Sequence, residues 1–140
     1  MEIRILTSAD TEALEHVADG VFDGLVAPRL AAEFLADDSH YICVAIEVGL
    51  VVGFASAVRY VHSEKPSGMW INEVGGSPCY QRSGIGKAVL SRILAEAETR
   101  GCREAWVLTD EDNSAARALY SSAGGSESQA GLIVTFSLTP

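Results

Sequence analysis

The chain has 140 residues, 48% apolar and 21% charged, which fits one folded domain over residues 1–140 and excludes a disordered chain. Nineteen acidic residues against ten basic ones leave a formal charge of −9, which excludes the basic surface that a nucleic-acid backbone requires. No apolar run reaches the roughly 18–20 residues of a membrane-spanning helix.

Residues 1–5 alternate as a short strand does and lack the basic-then-apolar pattern of a secretory signal, so the expected compartment is the cytoplasm. The spacing of Leu14, Val17, Ala18 and Val21 predicts a helix over residues 9–21. Pro28 opens a second helix running through Leu35. Strands follow at 40–47, 50–61 and 69–75, the first two joined by a turn at Gly49. Ile85, Val89 and Ile93 recur every four residues, so residues 84–100 form an amphipathic helix that Gly101 ends. A strand at 104–108, a short helix at 113–122 closed by Gly124, and a last strand at 131–138 complete the chain. This order predicts an α/β fold with a mixed sheet and helices on both faces. Cys43, Cys79 and Cys102 have no paired-ligand spacing and read as small buried thiols. His16, His40 and His62 are equally scattered, so no metal is expected.

The run Gln81-Arg82-Ser83-Gly84-Ile85-Gly86-Lys87 stands between a strand and the long helix. The first turn of a helix has unpaired N–H groups and a partial positive charge. Glycines 84 and 86 leave those donors open to an anion, and Arg82 and Lys87 can add charge-assisted contacts. Two glycines also simply make a tight strand-to-helix turn. The Gly-Lys-Ser/Thr ending of a Walker loop is missing, and no first strand with a later acidic ribose ligand surrounds the turn.

Gln81-x-x-Gly84-x-Gly86, preceded by Glu73-Val74-Gly75-Gly76-x-Pro78, resembles the acetyl-CoA signature of the GNAT superfamily of N-acetyltransferases. Asn113-x-x-Ala116-x-x-Leu119-Tyr120-x-x-x-Gly124 resembles its second signature, and the element order extends the likeness along the chain. The resemblance implies acetyl-CoA as cofactor. Its pantetheine arm would pair with Val74, Gly75 and Gly76, its diphosphate would lie on Gln81 to Lys87, and Asn113 and Tyr120 would contact it. Gly76 departs from the family's larger aliphatic residue, while its backbone donors remain.

By the same resemblance Tyr120 is the general acid for the departing thiolate, whose parent pKa is about 8.5. A packing tyrosine on an apolar helix face is the plainer alternative. Glu73 is the general base, a carboxylate that binds the ammonium, or both. These roles oppose each other, because a carboxylate that stabilises the ammonium raises its pKa.

Short length, Glu73 and the acidic run Asp110-Glu111-Asp112 make the chain most similar to small aminoglycoside 3-N-acetyltransferases. Asp110 and Asp112, with Glu73 and Asp23, would then bind a small polycationic amine. Asp110 to Asp112 also read as a helix cap. Another small amine, a polyamine or a peptide amine are the other acceptors, and an acetyl-CoA sensor is the non-enzymatic alternative. With only one strand after Gly124, the sheet edge is expected to be completed in a homodimer.

Overall fold

The computed structural model describes residues 1–129 and 131–138. Five strands form one mixed sheet in the order β1 (Glu2–Ile5), β2 (His40–Glu47), β3 (Leu50–Tyr60), β4 (Gly68–Gly76) and β5 (Glu104–Val107). The pairs from β1 to β4 are antiparallel, and β5 joins β4 in parallel. Three helices accompany the sheet: α1 (Pro28–Ala36), α2 (Ile85–Thr99) and α3 (Ser114–Ser122).

Strand β2 is apolar without alternation because both sides of the sheet are covered. Tyr41, Cys43 and Ala45 belong to a core with Val89, Leu90, Ile93 and Ala97 of α2. Ile42 and Val44 join Leu14, Val21, Ala31 and Phe54 on the opposite side. A run buried on both faces trades period two for continuous hydrophobicity.

The expected helix over residues 9–21 is not what the chain forms. A 3-10 turn occupies Thr11–Glu15 alone, and Val17 then bridges in parallel to Val51. The Val51 amide donates to the His16 carbonyl and the Ala18 amide to the Val51 carbonyl, both at 2.8 Å. Backbone groups used by the sheet cannot also close helical turns. Leu14 and Val21 still point inward, so the apolar spacing serves an arm laid on a sheet as well as a helix.

The expected last strand at 131–138 is likewise absent. That segment forms neither helix nor strand, is exposed throughout, and makes no backbone hydrogen bond to the other described residues. A strand exists only against a partner edge, and among the described residues the segment is paired with none, although β5 ends the sheet with one side open. Among the cysteines, Cys43 is buried and burial pushes its thiol up to about 11, but Cys79 is exposed, contrary to the expectation of small buried thiols. It sits on a 3-10 turn, Pro78–Tyr80, that buries none of its residues fully; Tyr80 alone packs in part against the core, and Cys79 stays in solvent. No helix is long and apolar enough to cross a membrane among the described residues.

Candidate active site

Two irregularities in β4 create the site. The first is a bulge. Ser56 pairs with Glu73 while the next residue, Ala57, pairs with Ile71, so Asn72 is an extra residue in β4. Ile71 and Val74 both pack into the core beneath α2. The Cβ direction of Gly75 meets the Phe54 ring and the Val21 carbonyl on the opposite face. Glu73, two residues before Gly75, therefore shares that opposite face. Both Asn72 and Glu73 are exposed.

The second irregularity is a parting of strands. β5 stays paired with β4 only as far as Ile71 and Val107, whereas β4 remains paired with β3 through Gly76. On the β5 side, residues 72–76 thus keep backbone groups that no strand among the described residues takes up. Gly76 stays in the strand opposite Gly53 despite its missing side chain, so the pairing is intact where the sequence departs from the family pattern. Gly75 has a steric reason: a Cβ there would lie 2.7 Å from Phe54 and 2.9 Å from the Val21 carbonyl oxygen. Phe22 stacks on Phe54 at 4.3 Å between ring centroids and holds the arm of residues 16–22 against this part of the sheet.

Beyond β4 the chain enters the glycine turn. Arg82 and Gly84 both adopt left-handed backbone, with φ of 64° and 81°. Gly84 is the N-cap of α2 and offers no side chain, and the first turn holds no acidic residue. The first amides of α2 therefore face outward without a capping acceptor. Ser83 Oγ donates to the Tyr80 carbonyl and ties the turn to the preceding 3-10 segment. Gln81, Arg82, Ser83 and Lys87 are exposed, and Arg82 and Lys87 have no ion-pair partner among the described residues. Ile85 is buried in the core and anchors the helix end. Gly86 faces Leu119 of α3, where a Cβ would stand 3.3 Å from Leu119 Cδ2. Free amides, two cations and the absence of side chains suit a diphosphate, and the open backbone of residues 74–76 suits an extended amide-bearing arm. Both fit coenzyme A.

Tyr120 of α3 is half-buried against the core beneath α2, and burial raises its phenol above the ordinary value. Glu73 and Tyr120 thus stand on opposite faces of the sheet, with the parting of β4 and β5 between those faces. Asn113 is used in part by the fold: its Oδ1 accepts the Ala116 amide at 3.1 Å and caps α3. The capping alternative for Asp110 to Asp112 is thereby corrected, since Asn113 supplies the cap and the acidic side chains make no such bond.

Asp110, Glu111 and Asp112 line an open depression together with Arg117. Arg117 was not a sequence candidate. Its Nη1 donates to the Glu111 carbonyl at 2.8 Å, while Nε and Nη2 hold the Glu127 carboxylate at 2.7 and 3.0 Å. Pairing over ten residues leaves no periodic signal from which it could be read. Asp23 is exposed in the segment after Phe22, on the arm that covers Gly75.

A profile of the acetyltransferase (GNAT) family matches residues 8–124. The chain is 44% identical over 50 residues to the ribosomal protein bS18-alanine N-acetyltransferase of Escherichia coli, a match spanning 36% of this chain and 34% of that relative's length. It is 28% identical over 112 residues to an uncharacterised N-acetyltransferase of Mycobacterium bovis, covering 80% of this chain and 69% of that one. Its fold resembles an aminoglycoside acetyltransferase from an uncultured soil metagenomic sample, crystallised with sisomicin. The TM-score is 0.85 at 17% identity, over 99% of this chain and 96% of that one. The family profile spans residues 8–124, a stretch that includes the strand parting and the glycine turn, and the chain belongs to the GNAT family of acetyltransferases.

Proposed function

We propose that this acetyltransferase acetylates an amino group of a small polycationic acceptor, an aminoglycoside, with the 3-amine as the site carried by the sequence resemblance. Acetyl-CoA supplies a thioester whose carbonyl the amine attacks and whose thiol departs. The observation that carries this function is the pair Glu73 and Tyr120 on opposite faces of the sheet, at the point where β4 and β5 part.

The first amides of α2, with Arg82 and Lys87, hold the diphosphate, and the backbone of Val74, Gly75 and Gly76 aligns the arm. The neutral amide of Asn113 remains as a polar contact beside it. Glu73 draws the ammonium to the open face and takes its proton, directly or through one water. Tyr120 keeps its proton at neutral pH and gives it to the leaving sulfur. Asp110 and Asp112, with Asp23, pair with the acceptor's other ammonium groups and orient it.

A peptide α-amine is the second acceptor class, favoured by the likeness to a ribosomal-protein alanine N-acetyltransferase. Thiol release from acetyl-CoA with gentamicin, kanamycin, spermidine and a basic peptide separates the two. Turnover with the drugs supports the aminoglycoside acceptor, and NMR of the product identifies the amine. Turnover with the peptide alone replaces it by the second class. Acetyl-CoA binding without any turnover would favour a sensor.

A further inference from the structure

We propose that Trp70 and Trp106 form a platform on the open face of the sheet, which carries the body of a polycationic acceptor while one of its amines reaches Glu73. The inference rests on the acceptor class proposed above.

Strand alternation places the two rings. Met69, Ile71 and Val107 pack into the core beneath α2. Trp70, between the first two, and Trp106, just before the third, therefore point to the opposite face. They are direct partners in the parallel pairing of β4 with β5, on strands about 4.8 Å apart. Neither ring belongs to the core on either side of the sheet, and each keeps part of its surface in solvent. The Trp106 ring lies over Gly68, where a Cβ would run into its Cη2 and Cζ3 atoms. Indole rings left outside the core offer a ligand cation a face to rest on.

The platform continues from the candidate site. Ser56 and Val58 lie two apart in β3, and their partners in β4 are Glu73 and Trp70. Trp70 is thus the next paired position on Glu73's face, about 7 Å along the strand. Gly68, opposite Tyr60, lies two positions further, about 13 Å from Glu73. Glu104 of β5 stands in register with Gly68 and shares the face of Trp106. It is exposed and has no ion pair among the described residues. Arg59 is the sole basic residue of β3, β4 and β5, and alternation sends it with Ala57 to the α2 side. An acid at each end with two indoles between them suits a molecule whose ammonium groups are spread over about 13 Å, more than one amino-sugar ring.

Trp70 and Trp106 are the chain's two tryptophans, so indole emission reports on the platform alone. The test is a titration of the protein, saturated with coenzyme A, with kanamycin, followed by tryptophan fluorescence and by calorimetry. The expected result is a saturable change in emission with the same dissociation constant in both measurements. Trp106→Leu should raise that constant about tenfold, and Trp106→Phe should recover most of the loss. Glu104→Gln should raise it about threefold for kanamycin and leave that of 2-deoxystreptamine, a single ring, unchanged. Affinity for acetyl-CoA should hold in every variant, which shows the fold intact. Kanamycin binding with unchanged emission overturns the platform alone and leaves the acceptor class standing. So does binding that Trp106→Leu leaves as it was. Absence of kanamycin binding by calorimetry overturns both.

Discussion

Ile71 and Glu73 are two residues apart in β4, yet one faces the core beneath α2 and the other the opposite side of the sheet. In a regular strand residues two apart share a face. Asn72, the extra residue opposite Ser56 and Ala57, breaks that rule. The bulge lets an apolar anchor and an acid stand almost side by side, each in the environment it requires, and re-aims Glu73 where β5 departs.

Deleting Asn72 preserves the inward and outward sense of every other residue but draws Glu73 along the strand by about 3 Å. The variant should fold, with a melting temperature near that of the wild type. Acetyl transfer should fall about a hundredfold, the cost of small misplacements at a reacting centre. Comparing the thermal melt with kcat/KM checks both halves.

Tyr120→Phe should lower kcat by about 100-fold while the dissociation constant of acetyl-CoA changes little. Burial raises the phenol's pKa, so its proton is in place across the neutral range. The wild-type rate should therefore decline on the alkaline side only above the ordinary phenol value of about 10. The variant should lack that limb. A pH profile of kcat for both proteins is the check.

Glu73→Gln separates the roles of the carboxylate. Loss of about tenfold or more in kcat with KM for the acceptor held marks proton removal, whereas a rise in KM alone marks binding of the cation. Rate recovery at higher pH, where more amine is already neutral, should accompany the first outcome.

Gly84→Ala forces a side chain into a left-handed position, at a cost of about 1–2 kcal/mol. Relaxation of that strain would turn the first amides of α2 out of line. Acetyl-CoA affinity should drop about tenfold, measured by calorimetry, with acceptor KM unaffected.

Asp10 gathers three hydrogen bonds, from Arg4 Nη1 at 2.9 Å, the Thr7 amide at 2.7 Å and Thr7 Oγ1 at 2.9 Å. The bond from Arg4, followed by those from Thr7, holds its carboxyl below the usual 3.8. A depressed folded-state pKa stabilises above the unfolded value and ceases to do so as pH falls through the folded one. Asp10→Asn should therefore cost about 1 kcal/mol near neutrality, a modest sum because solvent screens the group, and the deficit should vanish in strong acid. Denaturant melts at neutral and acidic pH check it.

What the sequence made legible was whatever had a strong local cause. Ile85, Val89 and Ile93 place α2 within a residue of its ends, and the glycine run places the turn before it. Leu14, Val17, Ala18 and Val21 misled because an arm pressed on a sheet buries the same spacing as a helix. The bulge was out of reach, since nothing in Trp70-Ile71-Asn72-Glu73-Val74 marks the extra residue until Ser56 and Ala57 stand opposite. The left-handed turn at Arg82 and the grip of Arg117 on Glu127 are equally products of tertiary neighbours. The segment 131–138 has the composition of a strand, but a strand also needs an edge, and composition does not say whose.

Mass spectrometry of kanamycin incubated with this protein and acetyl-CoA, with free thiol measured in parallel, bears on the proposed acceptor and chemistry at once. One acetyl group per drug molecule, matched by an equal quantity of thiol, is the expected result. Unmodified drug, with acetyl-CoA bound but intact or hydrolysed without transfer, would contradict it.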